Sequence, residues 1–144
     1  MKGSELRLIE YMEGSKKRFI IPVYQRNYDW KIENCKQLYD DLIQVIKNNS
    51  KTHFFGSIVS VYEPSGRNTE FLIIDGQQRL TTMSLLFLAL YNLLEEKIII
   101  SEDESLKDQI YEDFLVDKYQ PQEKRMKLKP IKNDQKAFSK LFNS

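Results

Sequence analysis

An α+β fold, a small mixed sheet flanked by helices, is predicted for a single domain spanning residues 1–144. Three observations predict it. Phe19 to Ile21 and Phe71 to Ile74 are unbroken apolar runs, the pattern of strands buried on both faces. Residues 32–45 and the stretch from Leu80 to Leu94 instead read with helical periodicity. Between strand-like residues 53–62 and 69–74, Glu63-Pro64-Ser65-Gly66 supplies the turn chemistry of a hairpin.

Each element has a local reason. Ser4 can cap a short helix through Met12, with Leu6, Ile9 and Met12 on one side and Gly14 beyond its end. Arg18 to Ile21 is strand-like, and Pro22 stops it. Asp29 is the expected N-cap of a helix from Lys31 to about Asn48, with Ile32, Cys35, Leu38, Leu42 and Val45 on its apolar face. Pro121 and Pro130 bracket a short alternating strand, Arg125 to Lys129. Asn133 is the expected cap of a last helix carrying Phe138, Leu141 and Phe142. That helix begins an apolar face just as the sequence stops, which points to a longer parent protein.

Composition narrows the function. At 144 residues the chain can bury a core without disulfides. Its net charge of +1 excludes a uniformly basic nucleic-acid coat, so any such contact must be local. The single Cys35 fits a reducing compartment, and its place on an apolar helical face suits a packed thiol. Met1 to Arg18 has no apolar leader core, and Met83 to Leu94 is too short to span a bilayer; a cytoplasmic protein is expected, with no membrane partner. His53 is the sole histidine, so no histidine-rich metal site fits in this stretch.

Charge separates along the second half. Nine acidic residues between Glu95 and Asp117 face only Lys97 and Lys107. From Lys118 to Lys140, eight basic residues (Lys118, Lys124, Arg125, Lys127, Lys129, Lys132, Lys136, Lys140) face only Glu123 and Asp134. The two stretches either pair with each other as solvated faces or leave the basic one for a DNA backbone.

The chemistry concentrates in Phe71-Leu-Ile-Ile-Asp-Gly-Gln-Gln-Arg-Leu-Thr-Thr82. A buried strand that ends in a glycine turn at a helix N-terminus is a common anion site. Glycine lets the backbone approach a ligand, the first helical N–H groups lack partners, and the dipole favours negative charge. Arg79 adds a planar fork suited to phosphate oxygens, or alternatively pairs with a carboxylate across a tight connection. Asp75 either binds Mg²⁺ or fixes the turn. A second polar cluster, Pro22-Val-Tyr-Gln-Arg-Asn-Tyr-Asp-Trp30, leaves the first strand; loops this crowded with aromatic and polar groups often bind ligands. The combined site is Asp75, Gly76, Gln77, Gln78 and Arg79 with Tyr24, Gln25 and Arg26. Gln77 or Gln78 can orient water, and Ser57, Thr81 and Thr82 are supporting hydroxyls.

Three ordered motifs, Pro22 to Trp30, Phe54-Phe-Gly-Ser-Ile-Val59 and Ile74 to Thr82, together with Leu128 to Phe138, resemble the N-terminal domain of GmrSD-type restriction endonucleases. The resemblance implies a ParB/sulfiredoxin-like fold in which a Gly-x-x-Arg turn, here Gly76 to Arg79, cradles a nucleotide. It implies a nucleoside triphosphate (GTP, ATP or UTP) with Mg²⁺, hydrolysed to regulate restriction of modified phage DNA, and a downstream HNH nuclease domain. On this reading Asp75, Gln78 and Arg79 are catalytic, with Asp75 on the metal. Gly76, Gln77, Arg79 and Arg26 bind phosphate, and Tyr24, Gln25 and Arg26 sense DNA. Two other readings compete. One is a non-catalytic sensor of modified DNA that stacks bases on the aromatic loop. The other is a ParB-like nuclease, weakened because Asp75 is the single secure carboxylate at the site.

Overall fold

A computed structural model describes residues 8–22, 28–47, 58–65, 68–120 and 125–143. Four strands, β1 (Lys17–Ile20), β2 (Val59–Ser65), β3 (Asn68–Asp75) and β4 (Leu128–Lys129), form one sheet in the order β2-β3-β1-β4. Among the described residues five α-helices flank it: α1 (Leu8–Met12), α2 (Ile32–Lys47), α3 (Gln77–Glu95), α4 (Leu106–Ile110) and α5 (Lys132–Asn143). A π-helical turn, Tyr111–Leu115, follows α4 directly. The α+β class and the small mixed sheet are therefore as expected. No described helix is long and apolar enough to cross a membrane.

The hairpin of β2 and β3 is antiparallel, whereas β1 runs parallel to both β3 and β4. Register is fixed by aromatic packing: Phe19 stands opposite Phe71, their rings stacked at 5.4 Å, and Tyr11 of α1 closes over both. The Tyr11 hydroxyl donates to Ser60 Oγ at 2.9 Å, so α1 is pinned across the sheet. Strand β2 runs through Pro64 to Ser65, which makes the hairpin turn tighter than the expected Glu63 to Gly66. Proline is tolerated there because β2 is an edge strand.

Two apolar clusters share α3. Leu80 and Met83 pack with Phe19, Ile73, Leu38, Leu128, Ile131 and Phe138, while Leu88 packs with Ile110, Leu115 and Val116. Phe87 and Phe114, stacked at 4.3 Å, join the two clusters. Both amphipathic helices begin differently from expectation. Helix α2 starts at Ile32, and Lys31 holds the cap position, because its carbonyl accepts Cys35 N–H and its own N–H donates to Asn34 Oδ1 at 2.9 Å. Asp29 is therefore not the cap, and Ile32, at 84% exposed, is not on the packed face. Helix α5 starts at Lys132, with Ile131 accepting the first amide bonds, so Asn133 is not a cap either.

The basic segment does not behave as one surface. Lys127, only 1% exposed, donates to the carbonyls of Met12, Gly14 and Asp113 at 2.5, 2.6 and 2.5 Å, with its ammonium 6.0 Å from the Phe19 ring centre. The wider π-helical turn presents the Asp113 carbonyl to it. Burial, and then Lys17 nearby, pushes its pKa down to about 8 against the pull of Asp113, Asp117 and Glu13, which still leaves a cation at neutral pH. Asp117 is buried beside it. Burial raises that carboxyl, but Lys16 N–H, Gln120, Tyr119 N–H and Lys127 together hold it below the usual range. Lys127 is thus a clasp between α1, β1 and the π-helical turn, not a DNA contact. Lys118 pairs with Glu112 at 2.8 Å, so the acidic and basic stretches meet at that point.

Lys127→Met keeps length and removes the donors, leaving three carbonyls in a dry pocket. Urea unfolding should show a loss on the order of 3 kcal/mol. An unchanged midpoint would show that water or a backbone shift takes over from the ammonium.

Candidate functional site

Parallel pairing decides where the motifs meet. Because β1, β3 and β4 point the same way, their C-terminal ends lie along one edge of the sheet, where open α/β sheets bind ligands. Strand β1 exits through Ile21 and Pro22, β3 through Asp75 and Gly76, and β4 through Pro130 and Ile131. These are the starts of the aromatic loop, the glycine turn and the late segment.

The glycine turn joins β3 directly to α3. Gly76 has φ 92° and ψ 14°, a left-handed conformation that a side chain would strain, and its carbonyl accepts Leu80 N–H at 3.0 Å. Asp75 Oδ1 accepts Gly76 N–H at 2.9 Å, so this carboxylate does fix the turn. No side chain caps α3 and its first turn holds no acid. The start of this 19-residue helix carries the usual partial positive charge of a helix N-terminus, with Gly76, Gln77 and Gln78 themselves buried. Arg79 sits in that first turn, at the end of the dipole that disfavours a cation. Among the described residues no carboxylate pairs with it.

Three motifs are sewn together behind this turn. The Tyr28 hydroxyl lies 2.8 Å from Thr82 Oγ1 and 3.4 Å from Cys35 Sγ. Thr82 spends its own proton on the Gln78 carbonyl, also at 2.8 Å, so Tyr28 is the donor to Thr82. Asp29 N–H donates to Gln78 Oε1 at 3.0 Å, and Tyr28 N–H donates to Asp134 Oδ2 at 2.7 Å. Burial, and then the Cys35 thiol, raises the Tyr28 phenol to about 12, with the Thr82 bond pulling the other way. Ile21, Tyr28, Gln77, Gln78, Thr81, Pro130 and Asp134 surround a recess with room for little more than a water molecule. Gln77 is 8% exposed and lines this recess, and its amide has no hydrogen-bond partner among the described residues.

The structure thus gathers Asp75, Gly76, Gln77, Gln78 and Arg79 at one helix start. Tyr24, Gln25 and Arg26 lie outside the described residues, as does Ser57. Gln78 is a strut between two motifs, while Gln77 has no side-chain partner among the described residues. Thr82 is a buried linker to Tyr28, and Thr81 lines the recess. Among the described residues no three ligating side chains cluster for a metal. Exposed Asp75, with Oδ2 unengaged among those residues, fits the single carboxylate that nucleotide-borne Mg²⁺ needs. Sequence reading missed Tyr28 as a strut and Asp134 as a second carboxylate at the site. Their partners lie 54 and 106 residues away, so no local spacing signals them.

Tyr28→Phe should cost about 0.5–1.5 kcal/mol in urea unfolding at neutral pH, the worth of a neutral hydrogen bond. The sign with pH follows from the raised phenol. The stability that Tyr28 contributes is fully present below its ordinary pKa of 10.0 and is lost as pH rises through about 12. Wild type should lose more stability than the variant across that alkaline window; parallel pH curves would remove Tyr28 from the network.

Comparison with known families agrees with these motifs. A family model described as the GmrSD restriction endonuclease, N-terminal domain, matches residues 8–144. No curated protein matches the chain.

Proposed function

The chain belongs to the GmrSD restriction endonuclease family as its N-terminal domain, and from that membership we propose that it binds and hydrolyses a nucleoside triphosphate to regulate a DNA-cutting partner domain. One observation carries the reading: the start of α3 is an uncapped, acid-free helix N-terminus that holds Arg79 without a carboxylate partner among the described residues. Phosphate oxygens accept from the first-turn N–H groups, and the Arg79 fork takes two more oxygens. The left-handed Gly76 leaves no side chain between ligand and backbone. Asp75 would hold a Mg²⁺ ion carried by the nucleotide, which would supply positive charge to the phosphates. GTP, ATP and UTP all fit this reading, because every named contact is to phosphate.

Hydrolysis requires a positioned water. The attacking oxygen forms a bond to the terminal phosphorus, the bond to the bridging oxygen breaks, and the nucleoside diphosphate leaves with that electron pair. Gln77 is better suited than Gln78 to hold this water, since Gln78 is committed to Asp29. Asp134 lines the same recess and can accept the water's proton. Arg26 adds positive charge to the phosphates, and Tyr24 and Gln25 face the DNA in this scheme. Modified phage DNA, a downstream HNH nuclease domain and a cytoplasmic setting complete it.

Arg79→Ala in the full-length protein should weaken nucleotide binding by about tenfold to a hundredfold, the loss of a charge-assisted bidentate contact worth roughly 1.5–3 kcal/mol. Calorimetric titration, with circular dichroism to confirm folding, measures it. Equal affinities in two folded proteins would falsify the phosphate role.

Gln77→Ala should lower turnover by on the order of a hundredfold and leave nucleotide affinity nearly intact, as expected for a group that acts in the transition state. Gln78→Ala should instead lower stability together with activity, because it frees Asp29 N–H. A Gln77→Ala enzyme with normal turnover would return the water to Gln78 or to solvent. A wild-type protein that discriminates modified DNA but binds no nucleotide would leave a non-catalytic sensor.

A further inference from the structure

Sorting the basic segment by its surroundings leaves a narrower surface than the sequence suggested. Lys127 is buried, Lys118 is paired with Glu112, and the Arg125 side chain donates to the Gln120 carbonyl at 3.1 Å. Besides Lys129, exposed on the short strand β4, and Lys124, outside the described residues, there remain Lys132, Lys136 and Lys140, all exposed and all on α5. They recur every four residues, so they form one stripe with steps of about 6 Å along the helix. Among the described residues none of the three has an ion pair. Asp134, the acid in the first turn of α5, is turned inward and held by Tyr28 N–H. Exposed Asn133 and Ala137 flank the stripe with uncharged surface.

This is not how the lysines of α2 are arranged. Exposed Lys31, Lys36 and Lys47 on and beside α2 are interspersed with exposed Glu33 and Asp40 and with Asp41. Among the described residues the α5 face has no such compensation, and like charges at four-residue spacing cost the helix stability unless something neutralises them. A charge-uncompensated stripe with steps near the separation of successive phosphates suits one kind of partner. We propose that the outer face of α5, through Lys132, Lys136 and Lys140, docks the phosphate backbone of a DNA duplex. The proposal rests on the reading of this domain as part of a DNA-acting enzyme, and it places the DNA on the helix whose first turn lines the recess beside α3.

The surface acts through charge alone, so binding follows backbone rather than base sequence and weakens steeply with salt. The test compares full-length wild type with the triple variant Lys132→Gln/Lys136→Gln/Lys140→Gln, on a fluorescent duplex of arbitrary sequence over a salt series. A control triple variant, Lys31→Gln/Lys36→Gln/Lys47→Gln, removes the same charge from another face, and circular dichroism confirms folding. Loss of three phosphate contacts should reduce the log–log salt slope by about 2.7. Wild type should then lose about fortyfold more affinity than the α5 variant between about 50 and 200 mM salt. The control should keep the wild-type slope. Equal slopes for wild type and the α5 variant would overturn the proposal, as would an equal drop in the control or a wild type that binds no duplex. Nucleotide titration of the same proteins runs in parallel. Intact nucleotide binding with no duplex contact by α5 sinks this surface alone, whereas lost nucleotide binding in wild type sinks the site at α3.

Discussion

Parallel pairing of β1 on both sides is the constraint from which the site follows. On one side β1 is in register with β3 from Lys17 opposite Thr69 to Ile20 opposite Leu72. On the other, Phe19 and Ile21 donate to the carbonyls of Lys127 and Lys129 at 2.7 and 3.0 Å. Antiparallel pairing at either edge would send one exit to the far end of the sheet. A slip of one residue would turn Phe19, 2% exposed and stacked on Phe71, out of the core. Burial of two phenylalanines and a tyrosine thus holds the register, and the register holds three loop starts side by side.

The first turns of α3 carry the local cost of this arrangement. Gln77, Gln78, Thr81, Thr82 and Ser84 are all buried, on a helix whose later turns are occupied by leucines and phenylalanine. Buried amides and hydroxyls destabilise unless they find partners. Gln78 and Thr82 find theirs in Asp29 and Tyr28, which ties the aromatic loop to the helix start. Gln77 does not, and Arg79 stands at the wrong end of the dipole. Local choices that work against stability cluster where a ligand can repay them, and here two fall within the first turn of one helix.

Sequence made the strands, the hairpin and α3 legible because burial writes itself as periodicity. Phe71 to Ile74 and Leu80 to Leu94 leave little freedom of interpretation. The anion turn was legible for a related reason, since a glycine between a buried strand and a helix constrains the backbone directly. Helix caps were not: Asp29 and Asn133 are good cap residues that the tertiary fold uses elsewhere or not at all, while Lys31 and Ile131 take the positions. Lys127 was illegible in principle, because it falls in a run with exposed Arg125 and Lys129 and its three acceptors are carbonyls contributed by distant turns. Asp134 was hidden in the same way, its partner Tyr28 lying 106 residues away. Tyr24 to Arg26 remain a reading of the sequence, outside the described residues.

Asp134 also sets how strongly the two faces of the domain can communicate. Its residue belongs to α5, its carboxylate holds the backbone of Tyr28, and Tyr28 holds Thr82 on α3. A movement of α5 under a bound polyanion must either carry Tyr28 with it or break that bond. A hydrogen bond to a charged acceptor is worth roughly 1.5–3 kcal/mol, so the route transmits at most about tenfold to a hundredfold in affinity. That is the ordinary range of coupling between two sites, reached here through a single contact. Coupling through the apolar core is a weaker candidate, because Phe138 of α5 and Leu80 of α3 belong to one close-packed cluster that resists small displacements. The polar route can break and re-form without disturbing that packing, so on the proposed reading the Tyr28–Asp134 bond is where DNA and nucleotide would act on each other.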